Sequence, residues 1–366
     1  MRFKERILYV ILSFFRVFLR FMKINSKKIL FVSLESEKLE NEFMMINEVL
    51  KKQEKYELHY LLVKFEATIL GNIKYFFVCL RQLFEINTSK LVILDYNNYV
   101  VSKFKREGVN VLQLWHASGA IKKFGNEIQR DYPIANYDYV IANSEEFIKH
   151  YAEAFGTSKT QVKITGIPKT DCLYNKKYNQ KNREKMYKKY PELKDKKVIL
   201  YAPTFRGRLL TGFKNTYMDL ELLYKSLDRD DYVIMYKMHP LLKEYCICNN
   251  EKIICCNNEN LYQLFSITDY FISDYSAIIF DFSLMTKPML FYAPDLDLYR
   301  EENGIYLDYE NEMPGPICYT EREVAVYIKR NIFDLDKVKK FEQKYHSYSD
   351  GKSLERVVNL INMIMD

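Results

Sequence analysis

The chain has 366 residues, of which 48% are hydrophobic, and a formal net charge of +7. That length suits two domains of roughly 100–200 residues each, and the apolar content is enough for a sizeable core. The modest positive charge fits an anionic membrane surface or a phosphorylated ligand; with no nucleic-acid-binding motif in the chain, it excludes a dedicated nucleic-acid binder.

The first 25 residues are set apart as one amphipathic helix. Arg2, Arg6, Tyr9, Ser13, Arg16, Arg20 and Lys23 recur at alternating steps of four and three, which puts them on one polar, basic stripe. Leu8, Ile11, Phe14, Phe15 and Phe18 lie on the apolar arc. Two arginines in mid-segment argue against a spanning helix, and the lack of small residues near its end argues against a cleavable signal peptide. The expectation is a helix in the plane of the membrane interface; an ordinary amphipathic helix packed on the body is the alternative.

From residue 26 to 167 strands and helices alternate. Strands are predicted at 29–33, 56–63, 91–95, 111–114, 139–143 and 162–166, and helices at 38–52, 69–84, 100–107 and from Ser144 onward. This alternation predicts a parallel, doubly wound sheet. The apolar helix at 69–84, which carries Lys74 and Arg81, is read as a core helix with membrane contact as its alternative. Residues 168–196 form the predicted linker, and its Lys-, Arg-, Asn- and Tyr-dense run 175–189 is read as a solvated helix. A second Rossmann-like domain is predicted over 197–332, with strands at 197–204, 232–236, 252–255, 270–273 and 289–292. Residues 333–366 are predicted as C-terminal helices that could cross back to the first domain. Seven cysteines without a secretory context are expected to be free. Cys246-x-Cys248 and Cys255-Cys256 match no zinc spacing, so no metal ligand is assigned.

Four strand ends carry chemistry. The run 111–114 leads into Trp115, the only Trp, then His116, the small residues Ala117, Ser118, Gly119 and Ala120, and the lysine pair Lys122 and Lys123. A strand end of this kind presents an imidazole and bare backbone N–H groups where open α/β sheets bind ligands, and the lysines suit an anion; a core histidine is the bland alternative. Ala202-Pro-Thr204-Phe205-Arg206 and Lys237-Met238-His239-Pro240 each follow a strand. Ser273-Asp-Tyr-Ser276-Ala277 reads as strand, turn and helix start, with Ser276 as a cap and the helix N-terminus as a phosphate cradle. Asp281 follows on that helix.

In order, Trp115-His-x5-Lys-Lys-x-Gly125, Gly166-Ile-Pro-Lys-x-Asp171, Ala202-Pro-Thr-Phe-Arg206, Lys237-x-His-Pro240 and Ser273-Asp-Tyr-Ser-x4-Asp281 resemble the CDP-glycerol glycerophosphotransferase family of teichoic acid synthesis, over about residues 29–308. The chain departs from the family pattern at Ala117-Ser118, where Gly-Thr is frequent, at Lys237, where Arg is common, and at Ala277, where a second serine is frequent. The resemblance implies a GT-B architecture: two Rossmann-like domains facing a central cleft, the first on the acceptor side and the second binding CDP-alditol.

It also implies a reaction, in which glycerol phosphate passes from CDP-glycerol to a hydroxyl of a polyprenyl-diphosphate-linked saccharide and CMP leaves. His116 and His239 are the expected catalytic residues. His116 is the expected base, because an alcohol needs one with a pKa of about 7. Ala117, Ser118, Gly119, Ala120, Thr204, Phe205, Arg206, Lys237, Met238, Ser276, Ala277 and Asp281 are expected around the donor. His239, Lys237, Arg206 and the Ser276 helix start would supply positive charge to the transferring phosphoryl group, and Asp281 would accept from alditol hydroxyls. Asp274 and Tyr275 are read as structural, and Asp171 as fixing an interdomain loop. No cofactor is assigned with certainty; Mg²⁺ is possible because the donor is a diphosphate. CDP-ribitol as donor, alditol-phosphate polymerisation, a GT-B glycosyltransferase using a nucleotide sugar, and a non-catalytic polysaccharide-binding module stay open. Little sequence lies outside the two domains, which favours a single-addition, priming role. The expected setting is peripheral, on the cytoplasmic face of an anionic membrane, and a homo-oligomer stays open.

Overall fold

The structure, a computed structural model, describes residues 3–65, 68–208, 212–214, 217–227, 231–239, 242, 244, 246–248 and 250–366. Arg2 and Pro240 of the sequence reading lie outside these residues. The chain divides into two compact units. Unit 1 holds residues 1–118, 123–171 and 346–366, and unit 2 holds 119–122 and 172–345.

Unit 1 begins with α1 (Phe3–Arg16), β1 (Asn25–Ser33), α2 (Asn41–Gln53), β2 (Glu57–Leu62), α3 (Ile69–Asn87) and β3 (Ser89–Leu94). It continues through α4 (Tyr99–Phe104), β4 (Asn110–Gln113), β5 (Tyr139–Ala142), α5 (Ile148–Phe155) and β6 (Val162–Ile164). The six strands form one parallel sheet in the order β2-β1-β3-β4-β5-β6. Its strands are apolar runs because a parallel sheet covered on both faces has no solvent side: residues 29–32 of β1 and 91–94 of β3 are buried throughout. The chain turns to opposite sides of the sheet at β1 and β3, so their carboxyl ends mark the switch point where such sheets take ligands.

Along unit 2 the chain forms α6 (Lys176–Lys189), β7 (Lys197–Tyr201), an antiparallel pair β8 (Arg206–Arg208) and β9 (Gly212–Lys214), α7 (Leu220–Ser226), β10 (Tyr232–Tyr236) and β11 (Ile253–Cys255). Then come α8 (Leu261–Ile267), β12 (Tyr270–Ser273), α9 (Ile278–Ser283), β13 (Met289–Tyr292), α10 (Leu296–Asn303), α11 (Tyr309–Glu312), β14 (Ile317–Cys318), α12 (Glu321–Arg330) and α13 (Leu335–Tyr345). The parallel sheet runs β11-β10-β7-β12-β13-β14. That is the doubly wound dinucleotide-binding order, with its switch point between β7 and β12. Ile199, Ile234, Ile272 and Leu290 from the sheet pack with Leu223 of α7 and with Val324 and Ile328 of α12. The fold is therefore α/β with two parallel six-stranded sheets, of the GT-B class. The sequence pattern missed β14 and the β8–β9 pair, which are too short to show a period. Within unit 2, α6 packs on α8, and Lys189 and Tyr190 both bond the Glu259 carboxylate, at 2.5 and 2.9 Å.

The chain ends with α14 (Ser353–Met365), which rejoins unit 1. Its Val357 and Ile361 enter the core beside Phe43, Ile46 and Leu50 of α2. The start of α14 is held by Asp171, whose carboxylate accepts from the N–H groups of Ser353 at 2.9 Å and Leu354 at 2.8 Å. This acidic partner satisfies two orphan donors and the positive end of the helix dipole.

Near the N-terminus, Leu12 and Leu19 are buried against unit 1, and Phe15 meets Phe84 of α3 edge-on at 6.5 Å. Arg106 donates to the carbonyls of Leu19 and Met22, both at 2.9 Å. The apolar arc of α1 is thus divided: Leu8, Ile11 and Phe15 are half-buried, while Val10, Phe14 and Phe18 remain exposed.

Replacing Asp171 with Ala removes both bonds at the start of α14 and is expected to destabilise the protein by about 1–2 kcal/mol, with Asp171→Asn losing less. Denaturant unfolding reads this, and an unchanged midpoint in Asp171→Ala would show that α14 does not depend on the cap.

Candidate active site

In unit 2 the expected donor residues gather at the carboxyl ends of β7, β10 and β12. Beyond β7 the chain runs through Thr204 and Arg206, both buried. The Thr204 N–H donates to Asp274 Oδ1 at 2.8 Å. Arg206 donates through Nε to Asp295 Oδ2 at 2.7 Å, through Nη2 to Asp295 Oδ1 at 3.1 Å, and through Nη1 to Asp274 Oδ2 at 2.8 Å and the Thr204 carbonyl at 3.0 Å. Its guanidinium lies over the rings of Tyr275 and Tyr299, 4.7 and 5.0 Å from their centroids. The Tyr275 hydroxyl donates to Asp295 at 2.9 Å, and Tyr309 donates to the Asp274 carbonyl at 3.0 Å. Burial works against the Arg206 cation, and the two carboxylates outweigh it. Burial also works against the Asp295 carboxylate, and Arg206 with Tyr275 holds it below its ordinary range. Arg206 was expected to offer free charge to a phosphate; here it is committed to two carboxylates and the trio is net negative.

The other expected cations differ as well. Lys237 donates its Nζ to the Asn257 carbonyl at 2.8 Å, and burial lowers its pKa. The buried Met238 sends its N–H to the Asn257 side chain at 2.8 Å. His239 sits edge-on to Phe205, with ring centroids 4.7 Å apart. Burial first, and then the charge of Lys122, push its imidazole down to about 4, so it is neutral at pH 7. Ser276 is not the helix cap. Ala277 takes that position in right-handed geometry, and Ser276 Oγ is 3.5 Å from the Ile278 N–H. Asp281 is buried, and its Oδ2 accepts from the Tyr262 hydroxyl at 2.9 Å.

In unit 1 the site is built on a strained turn. Trp115 has φ +59°, a conformation that costs a bulky L-residue roughly 1–2 kcal/mol. It is held by Gln113, whose Oε1 accepts from the Trp115 N–H at 2.9 Å and whose Nε2 donates to the Tyr96 carbonyl at 3.1 Å. The Trp115 ring stacks on Phe124 at 4.9 Å and on Tyr96 at 6.3 Å. His116 follows, exposed, its ring 3.9 Å from Trp115 and 5.9 Å from Tyr96. Lys169 donates to the His116 carbonyl at 2.7 Å. Ala117 is half-buried and Ser118 buried in this unit, while Gly119 and Ala120 belong to unit 2 and are buried there.

Asp95 was not singled out from the sequence. It follows β3 at the switch point, where burial pushes its carboxyl up to about 7, the Ser33 hydroxyl opposes that, and Glu35 adds to it. Burial raises Glu35 too. The available signal was an acid directly after the apolar run 91–94. Glu127, just before Ile128, and His150 and Glu153 of α5 bring three possible ligand atoms within 4.8 Å of one another. This trio of unit 1 contains none of the expected donor residues.

A family model described as CDP-Glycerol:Poly(glycerophosphate) glycerophosphotransferase matches residues 13–363. The chain is 33% identical to the teichoic acid ribitol-phosphate primase of Bacillus spizizenii, over 94% of this chain and 93% of that one. It is 28% identical to the teichoic acid glycerol-phosphate primase of Bacillus subtilis, over 97% and 96%. The solved wall teichoic acid polymerase TagF superposes with a TM-score of 0.72 at 22% identity, covering 96% of this chain and 92% of that one. A UDP-N-acetylglucosamine 2-epimerase superposes at 0.57 with 14% identity, over 93% and 95%, a likeness of fold alone.

The two perturbed groups oppose each other in pH dependence. His239 ordinarily titrates near 6.5, so between about 4 and 6.5 the unfolded chain holds the extra proton, and this contribution to stability is lost as pH falls through that window. The folded state instead keeps the Asp95 proton up to about 7, so its contribution falls as pH rises from about 4 to 7. Asp95→Asn is expected to raise the thermal midpoint at about pH 8 relative to wild type while leaving it nearly unchanged at about pH 4. An equal shift at both values would contradict a buried protonated carboxyl.

Proposed function

Because the chain belongs to the CDP-glycerol:poly(glycerophosphate) glycerophosphotransferase family, we propose that it transfers an alditol phosphate from a CDP-alditol, CDP-glycerol in the first instance, to a hydroxyl of a polyprenyl-diphosphate-linked saccharide. The acceptor oxygen attacks the β-phosphorus, the bond from that phosphorus to the bridging oxygen breaks, and CMP leaves with the oxygen. His116 takes the acceptor proton; its exposure on an aromatic-flanked turn is the observation that carries this role. Thr204, Phe205, His239, Ser276 and Ala277 serve the donor, with His239 as a neutral hydrogen-bonding partner. Mg²⁺ would act on the diphosphate. The second reading, CDP-ribitol as donor, is favoured by the 33% identity to a ribitol-phosphate primase.

Incubation with CDP-glycerol, CDP-ribitol and a synthetic lipid-linked disaccharide tests this by product mass. One alditol-phosphate increment supports it; consumption of neither donor sinks it. In the same assay His116→Ala should lower turnover by about 10²–10⁴ in a folded protein, and near-normal activity would remove it from the mechanism.

On this reading the chain works peripherally at the cytoplasmic membrane face. Among the described residues no helix is long and apolar enough to cross a membrane. Support for docking comes from α1 and the turn after it, which expose Phe14, Phe18 and Phe21 beside Arg16 and Arg20, and from the neighbouring α3, which exposes Leu70, Ile73 and Phe77. Charge contributes about 1 kcal/mol per residue at an anionic leaflet and is screened by salt, whereas apolar burial is not. Arg16→Glu with Arg20→Glu should therefore weaken co-sedimentation with anionic vesicles far more than with neutral ones, and Phe14→Ser with Phe18→Ser should weaken both. Undiminished binding by both variants would exclude α1 as the anchor.

A further inference from the structure

A diphosphate donor needs a cation, and each cation expected in unit 2 is spoken for. Arg206 is neutralised by Asp274 and Asp295, Lys237 is turned to the Asn257 carbonyl, and His239 is uncharged at neutral pH. One further cation stands at the same strand ends. Lys122 arrives with residues 119–122, which are fixed within unit 2 by an antiparallel bridge from Lys122 to Ile305, by a 2.8 Å bond from the Tyr306 N–H to the Ile121 carbonyl, and by burial of Ala120 and Ile121. Its Nζ lies 4.9 Å from the Phe205 ring centroid, and Phe205 in turn touches the His239 ring. Among the described residues Lys122 forms no ion pair. Asp274 attracts it through space, but that carboxylate is bonded to Arg206. Burial lowers the Lys122 pKa, and the Arg206 charge lowers it further. A desolvated ammonium without a carboxylate partner is costly to keep, and a phosphate oxygen would supply the missing counter-charge. The adjacent Lys123 is exposed and belongs to unit 1.

We propose that Lys122 is the diphosphate-binding cation of unit 2, with the Phe205 ring and the His239 imidazole as its flanks. This rests on the donor reading above for the identity of the ligand, but not for its chemical class.

The test uses the full chain and two probes, inorganic diphosphate and CDP-glycerol, titrated calorimetrically at low salt. Lys122→Met is expected to weaken binding of both by tenfold or more, and Lys122→Arg to recover most of it. The imidazole of His239, followed by NMR, is expected to titrate at higher pH in Lys122→Met, because the neighbouring cation is gone. Diphosphate binding that is undiminished in Lys122→Met, or absent in the wild type, overturns the proposal. Lys122-dependent binding of diphosphate without turnover of any CDP-alditol keeps it and overturns the donor reading instead. If Lys122→Met does not fold, Lys122→Arg still decides: its loss of diphosphate affinity in a folded protein that retains the His239 titration would overturn the charge-based role.

Discussion

The ion network of Arg206, Asp274 and Asp295 ties together the loops that leave β7 and β12, on either side of the unit 2 switch point. A buried pair of this kind adds little net stability compared with apolar packing, but losing one partner leaves a stranded charge and costs about 3–5 kcal/mol. It therefore specifies geometry more than it stabilises. The Thr204 N–H, the Tyr275 hydroxyl and the Tyr309 hydroxyl all take their orientation from its carboxyl groups and the adjoining backbone. The mutually stacked rings of Tyr275 and Tyr299 lie beside the buried guanidinium. The same commitment removes Arg206 from the supply of charge for an anionic ligand.

Unit 1 meets the equivalent demand with strain and titratable acid. A fully buried glutamine holds a tryptophan in left-handed geometry, and that turn brings His116 to the surface beside the Trp115 and Tyr96 rings. Asp95 and Glu35 lie where the chain changes sides of the sheet, with pKa values raised by burial. Strained backbone and perturbed carboxyls cluster at functional sites more often than elsewhere, and this end of the sheet carries both.

Much of the architecture was legible because apolar runs and helical periods are local signals. The strands at 232–236, 270–273 and 289–292 coincide with those of the structure, and the motif histidines do follow β4 and β10. Partners distant in sequence were not legible. Asp295 lies 89 residues from Arg206, so an arginine at a strand end reads as free until its carboxylates are known. Lys122 and Lys123 look equivalent in the sequence, yet the chain passes from unit 2 to unit 1 between them. Ser276 has the composition of a cap, but the short α9 begins one residue later in a tight turn. The apolar arc of α1 has one period, and only packing divides it into a buried part and an exposed part.

Attack on phosphorus expels a nucleoside monophosphate, whereas attack on carbon would expel a nucleoside diphosphate. CDP-glycerol carrying ¹⁸O at the oxygen that bridges its two phosphorus atoms tells the two apart directly. With attack on the β-phosphorus, acceptor-dependent turnover releases CMP containing the ¹⁸O, read by mass spectrometry and by the isotope shift in ³¹P NMR. Release of CDP, which requires cleavage of a carbon–oxygen bond, would contradict it.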